Sequence, residues 1–232
     1  MNTPDAASLN LAGKRILVTQ SDRFMGPALC STIADHGAEV ISSTDPLDCN
    51  DAVQQLVDAS GHIDVLVANL AIAAPQTLAT EVTDDEWQSV FHAMVDPLQW
   101  LTRAVLVQMI ERKSGKVLLM GSSSAMRGIN KTSSYCAARG AQISYIQSVG
   151  VEVARHNVQV NAIAQNFVDN ETYFPVEVQQ NPAFQKRLKS EVPLGRLVTK
   201  HEDASFAAYL CSDAANCFVG QIFPLCGGWV AR

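Results

Sequence analysis

Short, wholly apolar runs alternate with longer stretches of mixed character along most of the chain. Residues 15–19, 38–42, 63–68, 116–120, 158–163 and 221–225 read as strands, with β-branched residues crowding them and little polar alternation. Between them, 26–36, 49–60, 83–112, 133–156 and 202–211 carry helical spacing, and Gly37 and Gly61 are placed as stops. Thr83 and Glu86 form a capping-box pattern at the head of the long 83–112 helix. Pro97 predicts a kink or break near its middle, and Ser133 or Ser134 is expected to cap the helix running to about His156. Residues 166–195 are less regular, with prolines at 175, 182 and 193. There is no repeat, low-complexity tract or linker.

Strands that are apolar on both sides, alternating with amphipathic helices, belong to a parallel sheet covered on both faces. Right-handed crossovers then give an α/β, doubly wound, Rossmann-like architecture. The expected organisation is one catalytic domain over 1–232, with an N-terminal tail at about 1–12 and an active-site loop region at about 165–195. Ligands of such a sheet bind beyond the carboxyl ends of its strands, so chemistry is sought after Thr19, Ala68, Gly121 and Ile163.

Composition narrows the class. Of 232 residues, 47% are hydrophobic and 17% charged, which fits a packed core and excludes a disordered chain. A net charge of −6 without a Lys/Arg run argues against nucleic acid or a membrane surface as partner. A small-molecule substrate is the better expectation. The six cysteines are scattered, with no C-x-x-C pair and no metal-like cluster. No basic and apolar leader opens the chain, and no apolar run reaches spanning length. A cytoplasmic protein with reduced thiols is expected.

The first strand-to-helix turn changes the picture. A dinucleotide-binding turn uses glycines so that backbone can approach pyrophosphate closely. Here the turn is Thr19-Gln20-Ser21-Asp22-Arg23-Phe24-Met25-Gly26, and only Gly26 remains. Gln20 and Phe24 place side chains where backbone should meet phosphate, and Asp22 adds like charge. No cofactor is expected to bind there.

The order of segments resembles the short-chain dehydrogenase/reductase superfamily over nearly the whole chain. Those enzymes carry Thr-Gly-x3-Gly-x-Gly, Asn-Ala-Gly and Ser…Tyr-x3-Lys. This chain has Asn69-Leu70-Ala71 in the second motif and Tyr135-Cys136-Ala137-Ala138-Arg139 in the third. The departures resemble a related family, the halohydrin dehalogenases, marked by Thr-x4-Phe/Tyr-x-Gly and Ser-x12-Tyr-x3-Arg. Thr19…Phe24-Met25-Gly26 and Ser122…Tyr135…Arg139 match both.

Tyr135 and Arg139, four apart, share one helix face. A free phenol titrates near ~10, and a permanent cation beside it favours phenolate. Tyr135 can then act as a base toward a substrate hydroxyl that Ser122 orients; Ser123 or Ser124 is an alternative for that hydrogen bond. Tyr145 lacks an Arg at +4, and His62, His92, His156 and His201 are expected to be structural or solvent-facing.

The family resemblance implies a cofactor-independent carbon–halogen lyase that converts vicinal haloalcohols to epoxides. It also implies the reverse opening of epoxides by azide, cyanide or nitrite. It places the leaving halide beside Phe24 and the Gln165-Asn166-Phe167-Val168 loop, although Gln165 and Asn166 could equally be turn residues. The 170–175 stretch, with Tyr173 and Phe174, would continue that loop over the site. A homotetramer is implied as well, with Trp87 and Trp100 near another subunit and Trp229 over the pocket. The alternative is an NAD(P)-dependent reductase with an atypical loop, in which Asp45 holds a ribose.

Overall fold

Six parallel strands run in the order β2-β1-β3-β4-β5-β6 through a computed structural model that describes residues 9–230. Part of the expected N-terminal tail, residues 1–8, lies outside the described residues. The strands are β1 (Arg15–Val18), β2 (Glu39–Ser42), β3 (Val65–Asn69), β4 (Gly115–Ser122), β5 (Val158–Gln165) and β6 (Ile222–Leu225). Strand order reverses direction at β1 and β3, which opens the switch-point crevice at their carboxyl ends.

Successive strand residues point to opposite faces, and both faces are buried. Ile16, Val18, Leu118, Met120 and Ile163 pack under α1 (Gly26–Asp35) and a later helix. Leu17, Leu66, Leu119 and Val160 pack on the other side, under α2 (Asn50–Ser60) and two further helices. This two-sided burial is why the strands lack polar alternation.

The expected break at Pro97 is complete. The 83–112 stretch divides into α3 (Asp84–Met94) and α4 (Asp96–Arg112), joined at Val95, with Pro97 in the first turn of α4 where it forfeits no helical bond. The capping pattern at α3 is only half realised. Thr83 accepts from the Glu86 amide, but the Glu86 carboxylate accepts from Thr77 and from Ser134 instead. That second bond also corrects the expected cap of α5 (Ser133–Val153). Its N-cap is Thr132, which makes no side-chain cap because its hydroxyl donates to the Ile129 carbonyl, while Ser134 Oγ is committed to Glu86 at 2.6 Å.

The irregular 166–195 region contains two short helices, α6 (Val176–Gln180) and α7 (Pro182–Glu191). A full capping box opens α8 (Lys200–Cys211): Thr199 accepts from the Glu202 amide, and the Glu202 carboxylate accepts from the Thr199 amide. Residue 167 and residue 198 are then tied through the Val198 amide and the Phe167 carbonyl at 2.8 Å, fixing the loop after β5 onto the head of α8. All six cysteines are free, no described helix is long and apolar enough to cross a membrane, and the described residues hold no metal-like cluster.

Candidate active site

The helix face predicted for Tyr135 and Arg139 brings them into direct contact. Arg139 Nε donates to the Tyr135 phenolic oxygen at 3.0 Å. The other nitrogen of its fork, Nη1, donates to the carbonyls of Leu70 (3.1 Å) and Met120 (3.2 Å) and to Gln142 Oε1 (3.0 Å). Gln142 in turn donates to the Met94 carbonyl at 2.6 Å. Arg139 is buried, and its partners are neutral: no carboxylate is bonded to it among the described residues. The guanidinium is thus held rigidly, with the Tyr135 phenolic oxygen as the acceptor of its Nε.

Ser122 ends β4, two residues after Met120, whose carbonyl accepts from Arg139. Its Oγ lies 2.9 Å from Ser124 Oγ and accepts from the Ser124 amide at 3.2 Å. Ser123, the other candidate for an orienting hydroxyl, donates to the Ala164 carbonyl at 2.5 Å and so braces β4 to β5.

A second phenol stands in the site. The Tyr173 hydroxyl donates to the Ile72 carbonyl at 2.7 Å and neighbours that of Tyr135, while its ring lies 5.9 Å from Phe24. Burial first, and then the adjacent Tyr135, raises the Tyr173 pKa, so this phenol stays neutral. Of the two, only Tyr135 receives the guanidinium donor. A cleft of about 1430 Å³ runs from Thr44–Asp48 past Gln20 and Phe24 to Ile72 and Phe174. Leu70, whose carbonyl accepts from Arg139, and Ile72, whose carbonyl accepts from Tyr173, both line this cleft, although Ser122, Tyr135 and Arg139 themselves do not.

The first turn keeps the backbone of a glycine-rich turn without its glycines. Gln20 (φ 44°) and Phe24 (φ 50°) stand at the two absent glycine positions, and both adopt the left-handed conformation that glycine favours. Gln20 Oε1 accepts from the Ala71 amide at 2.9 Å, spanning the crevice, and Phe24 meets Tyr173. Gly26 is kept for contact: a Cβ there would lie 2.3 Å from the Gln20 carbonyl oxygen. Gln20 and Phe24 both line the cleft at the positions that glycines hold in a dinucleotide-binding turn. Asp45 is turned to Ser43, its carboxylate accepting from Ser43 Oγ at 3.0 Å.

The remaining predicted residues divide between bracing and lining. Thr19 is buried and donates to the Asn69 carbonyl at 3.2 Å, tying β1 to β3. Asn166 Oδ1 accepts from the Phe167 amide at 2.8 Å, which stabilises Phe167 at φ 50°. Phe167 packs with Phe174 and Trp229 in a separate aromatic cluster, and Val168 is buried under α1 and α8. Gln165 meets Asp203 of α8 at 2.6 Å. Among the histidines, His92 and His201 line the outer cleft and His62 pairs with Asp64. Trp87 is exposed on α3, stacked on Phe91, whereas Trp100 packs into the core.

A model of the family described as enoyl-(acyl carrier protein) reductase matches residues 6–230. The chain belongs to the short-chain dehydrogenase/reductase superfamily. Within this superfamily, the 3-oxoacyl-[acyl-carrier-protein] reductase of Escherichia coli (strain K12) is 26% identical over 95% of this chain and 98% of its own. A solved structure titled as a dehalogenation enzyme superposes with TM-score 0.87 at 28% identity, covering 95% of this chain and 99% of that one. A halohydrin dehalogenase bound to ethyl (2S)-oxiran-2-ylacetate superposes with TM-score 0.86 at 24% identity, over 93% and 96%, a likeness of fold. The superfamily's Tyr-x3-Lys spacing is present with Arg139 in the place of the lysine.

Two contributors were not legible as site residues: Gln142 and Asp203. Gln142 lies seven residues after Tyr135 on the same face, a signal that spacing carries. Asp203 is an acid on the apolar stripe of α8 with Ala204, Ala207, Ala208 and Cys211, all buried. That charge at a core position is the sequence signal for it.

Proposed function

We propose that this protein is a halohydrin dehalogenase that works without a nicotinamide cofactor. The observation that carries the reading is the buried Arg139 donating to Tyr135 at 3.0 Å with no carboxylate bonded to it among the described residues. Ser122 donates to the hydroxyl oxygen of a vicinal haloalcohol and orients it. Tyr135, as phenolate paired with Arg139, takes the hydroxyl proton. The oxygen then attacks the neighbouring carbon, the carbon–halogen bond breaks with its electron pair, and an epoxide and halide result. Nucleophile and leaving group belong to one molecule, so positioning and proton removal supply most of what is needed. The halide leaves toward Phe24 and the 165–168 loop. In reverse, azide, cyanide or nitrite entering by that route opens an epoxide as Tyr135 returns the proton. The 28% identical dehalogenation enzyme supports this reading.

The likeness to a 3-oxoacyl reductase favours a second reading, an NADPH-dependent reductase. Titrating NADPH into the protein while following tryptophan fluorescence, then offering a small ketone, separates the two. The dehalogenase reading expects neither quenching nor ketone reduction. Saturable quenching with NADPH-dependent turnover would overturn it.

A further inference from the structure

The loop after β5 is anchored by a group that the proposed reaction does not use. Asp203 is fully buried, one carboxyl oxygen meets the Gln165 amide at 2.6 Å, and the other has no partner. Its helix neighbours Ala204, Ala207 and Ala208 belong to a core cluster with Leu29 and Ile33 of α1, Met120 of β4, Ile163 of β5 and Val168 of the following loop. The charged groups of its own helix end, Lys200, His201 and Glu202, are exposed, and Glu202 is paired with Arg196. A carboxylate here would therefore sit in the core with no cation beside it and one oxygen unsatisfied.

The surroundings favour the neutral acid: a fully buried carboxyl with one oxygen unpartnered is held more cheaply with its proton than without it. An amide can present either end by a half-turn about its last bond. With Asp203 protonated, its O–H donates to Gln165 Oε1, and the Gln165 NH2 group turns to the open side. With Asp203 ionised, Gln165 Nε2 donates to the carboxylate, and Oε1 turns out instead. The end of Gln165 away from Asp203 has no protein partner among the described residues. Gln165 is also the register partner of Ser122, so both side chains stand on the same face of the sheet at its carboxyl edge.

We propose that Asp203 is a positioning residue whose proton decides whether Gln165 shows the halide route an N–H donor or a carbonyl oxygen. Donors facing outward attract an anion, and a carbonyl oxygen backed by a buried carboxylate repels it. Burial pushes the Asp203 pKa up to about 7, within the range where the switch can operate. Anion binding is then linked to retention of one proton, and alkaline conditions favour release of the halide. This inference rests on the dehalogenase reading for the location of the anion.

Chloride-35 NMR line broadening, with bromide as competitor, tests it on the intact protein. The wild type is expected to bind chloride at about pH 6 and to weaken at least about fivefold by about pH 8.5. Asp203→Asn supplies a permanent N–H donor to Gln165 Oε1, so its affinity should stay within about twofold over that range. Should Asp203→Asn not fold, Gln165→Leu serves: it keeps the acid but has no amide, and its binding should be weak and without pH dependence. Wild-type binding that does not change with pH overturns the switch and leaves the dehalogenase reading standing. A wild-type pH profile retained in Gln165→Leu also overturns it. Absence of competable broadening at either pH overturns both.

Discussion

Arg139 is the residue on which the site's electrostatics turn. A guanidinium can serve Leu70, Met120, Gln142 and Tyr135 at once because its donors are fixed in a plane. An ammonium has three donors at one point and cannot reach all four. Arg139→Lys is therefore expected to lower kcat by about tenfold or more while leaving KM within about threefold, measured as halide release at saturating haloalcohol. Retention of full kcat would show that charge alone matters. The contact between Tyr135 and Arg139 was legible in the sequence because i, i+4 spacing puts both on one helix face, whereas the choice of Ser122 came from the family resemblance. Tyr173 was expected only as part of a stretch over the site. Its bond to Ile72 and its approach to Tyr135 are tertiary contacts that spacing does not encode.

At the scale of elements, periodicity located all six strands and most helices, since two-sided burial leaves a strong apolar signal. Ends and caps were less legible. Serines at 133 and 134 look like caps of α5, but a cap depends on where the side chain finds its partner, and Ser134 finds Glu86 on another helix. The cap that matters for the site is at α8, where Thr199 and Glu202 hold the helix head against the Phe167–Asp169 segment. Thr199→Ala is expected to reduce stability by about 1 kcal/mol in urea unfolding. A loss below a few tenths would mean that Arg196 and Glu202 hold the helix end without it. The first turn shows a similar division. Its lost glycines are visible in the sequence, whereas the retained left-handed backbone at Gln20 and Phe24 is visible only in three dimensions.

Across the described residues, two buried ionisable groups outside the active site, Asp203 and Lys116, lie toward opposite ends of the sheet. Asp203 lies near the carboxyl ends; Lys116 lies near the start of β4, with its ammonium unpartnered and its pKa brought down to about 8 by burial. Their pH signatures run in opposite directions. The raised pKa of Asp203 means that the fold is favoured by the proton, and stability from this group declines as pH rises from about 4 to about 7. The lowered pKa of Lys116 means that the fold disfavours the proton, and stability recovers as pH rises from about 8 to about 10.5. Asp203→Asn should accordingly stabilise the protein above pH 7, by at most about 4 kcal/mol, and have little effect near pH 4. Lys116→Met should stabilise by at most about 3 kcal/mol at neutral pH, with the gain shrinking toward pH 10. Thermal melts across pH check both, and gains independent of pH would contradict the linkage. Composition could not disclose these groups, because burial belongs to the assembled fold.

The central claim is that Tyr135, tuned by Arg139, removes a proton so that a halide leaves without any nicotinamide. The most direct measurement is paired release of bromide and acid from a small vicinal bromoalcohol, in nicotinamide-free buffer, by the wild type and by Tyr135→Phe. The prediction is equimolar bromide and acid from the wild type, and a loss of at least about a hundredfold in the variant with its thermal melt retained. Absence of bromide from the wild type across several bromoalcohols, or undiminished release from Tyr135→Phe, would contradict the account.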